Sequence, residues 1–419
     1  MVGAGFGGIA AVRALKGAPA DVLLVDEHNY HLFQPLLYQV ATALLDPSQI
    51  AYPVRAILRR QANADFLLAH VDGVDVERQV VRTDRGELPY DWCVVAAGAA
   101  TATYGKIGVE RHAFRLKTLG DALALRNHLL SSVERAASTS SAEERQRLLT
   151  VAIIGGGPTG VELAGAISEL VGLVLGKDFK RLDLRSLRVV LFEGSDALLA
   201  GFAPRLRKAA AEALRRKGVE LHFGKFVDDI DGGGLVLHDG ERFEAGTVVW
   251  APGVSGVPLG GFPRSDRDPG NRVDVDEGLH PRRTASSGPE NVFVIGDLGA
   301  GHEKGKALPM LGAVAQQEGR WVAARILHAM GAGRDPGRFH YRDKGIMATI
   351  GRNAAVAEIG PLQVNGFIGW VLWLAVHLIL LIGFRNRAIA LVGWCKDYFF
   401  YDRSVRLIVA PKPPTGEPY

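Results

Sequence analysis

The stretch that decides the fold reads Val151-Ala152-Ile153-Ile154-Gly155-Gly156-Gly157-Pro158-Thr159-Gly160-Val161-Glu162-Leu163. A short apolar run ends in a Gly-x-Gly-x-x-Gly turn and leads into an Ala- and Leu-rich helical pattern. This is the strand, turn and helix that receive the pyrophosphate of a dinucleotide. In this pattern Gly155 permits the tight turn, Gly157 lets a phosphate approach the backbone, and Gly160 lets the helix pack closely on the strand.

A second copy of the turn lies near the first residue, where Gly3, Gly5 and Gly8 repeat the same spacing before another Ala-rich helix and the strand 21–26. Two copies predict two dinucleotide-binding units. The copy at 151 has a full strand in front of its turn, whereas here only two residues precede Gly3. A strand of this kind needs about five residues, so we expect it to be clipped and further upstream residues to belong to the native protein.

Length and charge limit the class of protein. The chain has 419 residues, which is enough for two or three domains with separate hydrophobic cores. Its formal net charge of +4 is small, and charges of both signs are mixed along most of the chain. Nucleic-acid binding, which needs a basic patch or stripe, is therefore not expected.

The sequence contains two cysteines, Cys93 and Cys395, which are far apart and each lie among apolar residues. We expect both to be buried free thiols, which fits a reducing compartment. Flavoproteins that pass electrons through a close cysteine pair need a partnered thiol that this chain lacks. The twelve histidines show no ligand-like spacing with cysteines or acids, so no metal site is predicted.

Three further apolar runs end on small residues, at Gly98, at Gly253 and at Gly296-Asp297. A strand that closes on small residues suits a backbone that passes near a cofactor. We therefore expect these strand ends to contribute to the dinucleotide sites.

The motifs, taken together, resemble those of a known family. They are the paired glycine turns, NYHLFQPLLYQ at 29–39, GGGPTGVE at 155–162, VIGD at 294–297 and LPMLGAVAQQ at 308–317. In this order and spacing they resemble the flavoproteins with two dinucleotide-binding domains, and within these the type II, non-proton-pumping NADH:quinone dehydrogenases. The resemblance covers nearly the whole chain. It implies an α/β fold with two Rossmann-like dinucleotide-binding domains and a C-terminal amphipathic helical membrane anchor.

The resemblance also implies where the domains lie in the chain and which ligand each one binds. A split FAD domain, 1–117 and 265–345, would enclose an NADH domain, 118–264, and 346–419 would associate with the membrane. Asp26 and Glu193 then match the acids that hydrogen-bond the ribose of FAD and of NADH respectively.

A carboxylate at Glu193 would repel a 2′-phosphate, so NADH should be preferred over NADPH. Asp297 matches the residue that contacts the ribityl or pyrophosphate region of FAD, with a turn-capping role as its alternative.

The expected reaction centre follows from the same resemblance. Gln316 and Gln317 lie in a helix beginning near Leu311, whose N-terminus would stabilise negative charge on the reduced flavin. Their amides would sit where flavin, nicotinamide and quinone meet, and can donate to a quinone carbonyl. Glu162 would lie near the nicotinamide and tune the site electrostatically or supply protons to the quinone. The alternatives are an ordinary helix-surface role for the glutamines and a simple helix-dipole interaction for Glu162.

The stretch 29–39 is rich in aromatic and amide side chains and has no strict periodicity. We expect Gln34, Pro35 and Tyr38 to wall the quinone pocket, and a packed surface loop is the alternative interpretation.

The tail has a different composition from the rest of the chain. Residues 367–384 read FIGWVLWLAVHLILLIGF, with His377 as the only side chain that can carry charge. Basic residues and further aromatic residues follow, and three of the six tryptophans, Trp370, Trp373 and Trp394, fall here. Aromatic and basic residues together are typical of segments that lie at the headgroup layer of a bilayer. We therefore expect 364–406 to lie on the membrane surface, with a spanning helix and a buried contact in a homodimer as alternatives.

The combined prediction is a peripheral FAD enzyme on the cytoplasmic face of the cell membrane. It would transfer a hydride from NADH to FAD and pass two electrons on to a membrane quinone without pumping protons. One alternative is an NADH-dependent flavin reductase with a soluble acceptor such as a ferredoxin. The other is a non-enzymatic, membrane-tethered NADH-binding redox sensor.

Overall fold

A computed structural model describes residues 1–170, 172, 178–179, 182–183, 186–282, 289–303, 305–400 and 405–409. The chain forms two compact units. Unit 1 consists of Met1–Leu32, Ala51–Ala102 and Val254–Lys344, and unit 2 of Phe33–Ile50, Thr103–Gly253 and the described residues of Gly345–Tyr419. The domain boundaries proposed from the sequence stay predictions.

The helices vary from single turns to a helix of 20 residues. In chain order they are α1 Phe6–Ala14, α2 Leu37–Ala41, α3 Pro47–Ile50, α4 Val54–Leu58, α5 Ile107–His112, α6 Leu119–Ser138, α7 Ala142–Leu148, α8 Pro158–Glu169, α9 Pro204–Arg216, α10 Gly312–Ala329, α11 Gly366–Leu380 and α12 Phe384–Phe400.

The strands are short. In chain order they are β1 Val22–Asp26, β2 Tyr30–Leu32, β3 Ala51–Pro53, β4 Ala64–Leu68, β5 Val71–Asp75, β6 Val80–Thr83, β7 Gly86–Pro89, β8 Cys93–Val95, β9 Ala99–Thr101, β10 Thr150–Ile154, β11 Arg188–Glu193, β12 Val219–Phe223, β13 Val227–Asp231, β14 Gly234–Leu237, β15 Arg242–Glu244, β16 Thr247–Trp250, β17 Val254–Gly256, β18 Val273–Asp274, β19 Val292–Val294, β20 Gly299–Ala300, β21 His302–Glu303, β22 Lys306–Ala307, β23 Ile346–Thr349, β24 Ala355–Ile359 and β25 Leu362–Asn365.

A parallel sheet forms the centre of unit 1. β1 pairs with β4, and β8 pairs with β19. Val2 lies between the two pairs and bridges Val25 on one side and Val95 on the other, both in parallel. The residue that precedes the first glycine turn therefore occupies the central position that the sequence requires of its strand.

A second parallel sheet forms the centre of unit 2, in the order β12, β11, β10, β16. All five residues of β10 are buried, which is typical of a central strand with both faces covered by other elements. The strand before the glycine turn is again central, and the strand that ends in the predicted acid, Glu193, lies next to it. Both units thus have the doubly wound α/β arrangement, and the predicted dinucleotide-binding fold is confirmed.

Antiparallel sheets accompany the parallel ones. β5, β6 and β7 form one in unit 1, whereas β13–β15 and β23–β25 form two in unit 2. Within unit 2, β23 packs against α8, and α11 packs against β24.

The apolar run of the tail is divided between two helices. α11 ends at Leu380 and α12 begins at Phe384, with Gly383 in a left-handed conformation (φ 90°) between them. Among the described residues, none of the helices has both the length and the apolar character needed to cross a bilayer.

Cys93 is buried in β8, and desolvation raises the pKa of its thiol to about 11. The prediction that both thiols are buried is wrong for Cys395, which is exposed on α12.

Candidate active site

Each glycine turn is closed by a carboxylate from the next parallel strand. In unit 1, Asp26 Oδ2 accepts the backbone N–H of Ala4 at 2.6 Å. In unit 2, Glu193 Oε2 accepts the backbone N–H of Gly156 at 2.6 Å. Both acids are the last residues of their strands, so the two predicted ribose-binding carboxylates hold equivalent positions. Burial raises the pKa of Asp26, and the N–H groups of Ala4 and His28 oppose that shift.

The glycines of the two turns also have matching environments. Gly3 and Gly155 both adopt positive φ, at 95° and 103°, a conformation that other residues rarely adopt. Apart from the adjoining residues of the chain, no atom of the described residues lies within 4 Å of where a Cβ would stand on Gly5 or Gly157. This open space at the start of a helix is what a phosphate requires.

The third glycine of each turn is required for close packing. A Cβ on Gly8 would overlap the carbonyl oxygen of Gly3, and one on Gly160 would overlap that of Gly155. The residues therefore fit the pyrophosphate of a dinucleotide in both units.

A buried histidine braces the glycine turn of unit 1. His31 is buried, and its Nδ1 lies 2.8 Å from the carbonyl oxygen of Ala4. Because a carbonyl accepts, Nδ1 must carry the proton, which leaves Nε2 as an acceptor. Nε2 is covered by protein and has no partner among the described residues, and burial lowers the pKa of the ring, so His31 supports the turn as a neutral donor.

The other strand ends differ in their surroundings. Gly98 has φ 77° and Gly253 has φ 149°. A Cβ on Gly98 would meet no atom of the described residues, and one on Gly253 would lie 3.2 Å from the hydroxyl of Tyr104.

Gly296 begins the turn that carries Asp297, and Glu318 of α10 fixes it. Glu318 Oε2 accepts the Gly296 N–H at 2.6 Å. Burial raises the pKa of Glu318 to about 7, while the Gly296 N–H and the charge of Arg272 act in the opposite direction. Asp297 is partly exposed.

The side chains of the two predicted glutamines differ in their hydrogen bonds. Gln317 donates its amide N–H groups to the carbonyls of Ala313 and Arg342, and its Oε1 accepts the N–H of Arg342. Both of its donors are therefore occupied by the backbone of unit 1. The side chain of Gln316, in contrast, makes no hydrogen bond within the part of the chain that the structure describes, which leaves its amide available to a ligand.

Glu162 lies in the second turn of α8, in unit 2. Its Oε1 accepts the backbone N–H of Thr349 at 3.3 Å. Part of the residue remains accessible to solvent, yet enough protein surrounds the carboxyl that desolvation raises its pKa to about 8. Within the described residues, no cation pairs with it. Its carboxyl is thus protonated at neutral pH.

The three residues predicted to wall the quinone pocket all lie in unit 2 but face different surroundings. Gln34 and Pro35 are exposed, and the Gln34 amide is bonded to the backbone carbonyl and the ammonium group of Lys117, at 3.3 and 3.4 Å. Tyr38 is buried in α2, with its ring 6.4 Å from that of Trp373 on α11.

A hydrogen-bonded chain connects Tyr38 to the tail helices. Gln39 Nε2 donates to the Tyr38 hydroxyl at 2.7 Å, and Gln39 Oε1 accepts the indole N–H of Trp394 at 2.9 Å. His377 stacks on Trp373 at 4.0 Å, donates through Nδ1 to the Trp373 carbonyl, and has its pKa lowered to about 4 by burial. The tail is therefore built into the core around α2.

Three buried polar residues were missed by the sequence analysis: His31, Glu318 and Glu169 of α8. Each of the two glutamates stands in the buried stripe of its helix, at a position where the pattern calls for an apolar residue. This break in the apolar pattern is the signal that could have identified them.

Comparisons with known proteins agree with this geometry. Residues 1–319 match the family described as pyridine nucleotide-disulphide oxidoreductase, and residues 344–403 match the NDH2 C-terminal domain. The solved structure of NDH2 from Plasmodium falciparum in complex with NADH is similar with a TM-score of 0.88 at 20% identity, covering 98% of this chain and 99% of that one. The sulfide:quinone oxidoreductase of Aquifex aeolicus is similar with a TM-score of 0.70 at 19% identity, covering 95% and 94%. The fold is thus that of the oxidoreductases with two dinucleotide-binding domains.

Sequence relatives identify the family within this class. The type II NADH:quinone oxidoreductase Ndh of Mycobacterium tuberculosis is 38% identical over 409 residues, which cover 94% of this chain and 86% of that protein. NdhA of the same organism is 38% identical over 413 residues, covering 94% and 85%. The chain therefore belongs to the type II NADH:quinone oxidoreductase family, as its motifs predicted.

Proposed function

We propose that this protein is a FAD-dependent NADH:quinone oxidoreductase that acts at the cytoplasmic face of the cell membrane without pumping protons. Bound FAD would supply the redox chemistry, accepting a hydride from NADH and returning two electrons to a quinone. The observation that carries the proposal is the pair of glycine turns, each closed by a strand-end carboxylate at 2.6 Å, in a chain whose relatives are named NADH:quinone oxidoreductases.

The two turns have different assigned ligands. Asp26 and the turn at Gly3 would hold the adenosine side of FAD, and Asp297 would contact the same cofactor. Glu193 and the turn at Gly155 would hold NADH, with the charge of Glu193 acting against a 2′-phosphate.

Glu162 is the proposed proton source. The net reaction, NADH + H⁺ + quinone → NAD⁺ + quinol, takes up one proton besides the hydride, and an acid whose pKa lies near the working pH delivers it most effectively. Because its pKa is raised to about 8, Glu162 holds a proton at neutral pH and can release it.

The quinone side is assigned to Gln316, Gln34, Pro35 and Tyr38. Gln316 is favoured over Gln317 as a hydrogen-bond donor, since both amide N–H groups of Gln317 are bonded to backbone carbonyls. Tyr38 would wall the pocket with its ring, and its hydroxyl accepts the Gln39 amide.

The membrane contact is assigned to α11 and α12. Large apolar side chains of both helices are exposed, with Ile368 at 71% and Val392 at 67%. Two short helices with exposed apolar side chains suit the interfacial layer of a bilayer. A homodimer contact through the same surface is the competing assignment.

The test measures NADH oxidation from pH 6 to 9 with a quinone analogue or a ferredoxin as acceptor. We expect turnover of about 10 per second with the quinone, falling as pH rises through the pKa of Glu162. Glu162→Gln should reduce quinone turnover and remove that fall. Faster ferredoxin than quinone reduction would overturn the choice of acceptor, and an unchanged pH profile in Glu162→Gln would overturn its role.

A further inference from the structure

Two glutamates lie on one face of α8 and both bind the turn between β23 and β24. Glu162 Oε1 accepts the N–H of Thr349 at 3.3 Å, and Glu169 Oε1 accepts the N–H of Arg352 at 2.5 Å. Residues seven apart in a helix share a face and lie about 10 Å apart along its axis. The two glutamates therefore hold the last residue of β23, Thr349, and the middle residue of the five-residue connection 350–354, Arg352.

The turn approaches α8 more closely than side chains would normally allow. A Cβ on Gly165, between the two glutamates, would lie 2.8 Å from the backbone nitrogen of Gly351. Gly351 itself has φ 70°, and a Cβ there would overlap Glu169 Oε1. The position of the turn thus depends on backbone contact with α8 and leaves little room for a shift.

The two glutamates differ in their partners. Glu169 is buried and forms an ion pair with Lys217 at 2.6 Å. Lys217 also donates to the carbonyl of Arg352 at 3.2 Å, so it binds both the carboxylate and the turn that the carboxylate holds. Charge-assisted hydrogen bonds of this kind are about twice as strong as neutral ones. Arg352 is therefore fixed strongly, whereas Glu162 accepts a hydrogen bond from the Thr349 N–H alone among the described residues.

We propose that Glu169 and Lys217 are positioning residues for Glu162. By fixing Arg352 they hold the whole turn on α8, and this keeps the Thr349 N–H within reach of the Glu162 carboxyl. The inference rests on the proposed role of Glu162 as a proton source and adds what sets its protonation.

The Thr349 N–H lowers the pKa of Glu162 against the larger effect of burial, which raises it. Loss of that N–H would therefore raise the pKa further. Within the part of the chain that the structure describes, no charged side chain shifts the pKa of Glu162. The titratable residues on the elements packed against α8 are Tyr38, Arg188, Glu193, Glu220, His222, Arg205, Arg207, Lys208, Glu212, Arg215 and Arg216.

The test is an infrared titration of the Glu162 carboxyl, with its band identified by its absence in Glu162→Gln. Glu169→Asp keeps the charge but withdraws it from Arg352, and Glu169→Gln removes it. Positioning predicts that both variants raise the pKa of Glu162 by about half to one unit. A purely through-space effect predicts almost no shift in Glu169→Asp and a fall in Glu169→Gln, because a like charge is lost.

Two further variants complete the design. Lys217→Arg keeps the cation and should leave the Glu162 band within about 0.2 unit of the parent. Glu220→Gln breaks the ion pair with Arg188, at 2.7 Å, and controls for a general loss of stability, so it should not move the band. If Glu169→Gln does not fold, Glu169→Asp carries the test alone.

The two proposals fail in different ways. An unshifted Glu162 band in both Glu169 variants overturns the positioning role and leaves the proton role intact. An unchanged pH profile of quinone reduction in Glu162→Gln overturns the proton role, while the infrared titration still decides whether Glu169 sets the pKa of Glu162.

Discussion

The Glu193 carboxylate accepts the backbone N–H of Gly156 at 2.6 Å. Its other oxygen accepts the N–H and the hydroxyl of Ser195, at 2.7 and 2.8 Å. The acid that would select the nucleotide thus also holds the glycine turn in place. Substitutions at this position must separate its charge from its hydrogen bonds.

Glu193→Gln keeps an oxygen that can accept from Gly156 but removes the charge. We expect the ratio of kcat/KM for NADPH to that for NADH to rise about tenfold, since repulsion of a 2′-phosphate is lost. Glu193→Ser should raise the ratio similarly but weaken both nucleotides, because the turn also loses its acceptor. Steady-state kinetics with both nucleotides measure this, and an unchanged ratio in both variants would remove Glu193 from cofactor selection.

Glu318→Gln should change how stability depends on pH. The Glu318 pKa is raised from 4.5 to about 7 in the folded protein. The folded protein therefore keeps a proton that the unfolded chain has already lost, and stability falls as pH rises through that window. Glutamine cannot ionise, so the free energy of unfolding should decrease less between pH 4.5 and 7 in the variant than in the parent. The difference should be at most about 3 kcal/mol.

Urea denaturation at several pH values between 4.5 and 7 measures the effect. Glu212→Gln, on the exposed side of α9, is the matched control and should keep the parent slope. A parent-like slope in Glu318→Gln would mean that the carboxyl is ionised in the folded state.

Trp394→Phe should loosen the tail from α2. The indole N–H donates to Gln39 Oε1 at 2.9 Å, and its removal leaves a buried amide oxygen without that donor. We expect a loss of about 1 to 3 kcal/mol in the free energy of unfolding. Trp321→Phe is the control, because the buried Trp321 indole N–H has no acceptor among the described residues, so its loss should lower the free energy of unfolding less. Equal losses in the two variants would show that the Trp394 hydrogen bond contributes nothing.

Ile368→Asp combined with Val392→Asp should weaken membrane binding. If these exposed side chains enter the headgroup layer, each charge should reduce partition into liposomes about tenfold. Turnover of a long-chain quinone in the membrane should fall, whereas turnover of a short, water-soluble analogue should be kept. Ile107→Asp, at an equally exposed position on α5 (62%), should change neither, and co-sedimentation that is unaffected by the double change would refute the anchor.

Much of the fold could be predicted from the sequence because its signals are local. The turns at Gly3 and Gly155 fix strand, turn and helix within a few residues, and the acids Asp26 and Glu193 follow at strand ends. The partners of Glu169 and Glu318 could not be predicted in this way. Lys217 lies 48 residues from Glu169 and Gly296 lies 22 from Glu318, so only the tertiary fold brings them together.

The C-terminal tail shows a different limit of prediction from the sequence. Its composition predicted an apolar segment on the membrane surface, but hydropathy alone did not show that the run divides at Gly383. Nor did it show that Trp394 would turn inward to Gln39. The hydropathy of a tryptophan is the same whether its side chain faces lipid or the protein core. Cys395 is exposed on α12, and the charged residues Lys396 and Asp397 that follow it are the signal in the sequence against its burial.

The central claim is that electrons pass from NADH through bound flavin to a quinone. It is tested most directly by anaerobic stopped-flow measurement of the flavin absorbance in the purified protein. We predict that NADH bleaches the flavin band within about a second, and that a ubiquinone or menaquinone analogue then restores it. A band that NADH does not bleach, or that ferredoxin restores and quinone does not, would contradict the account.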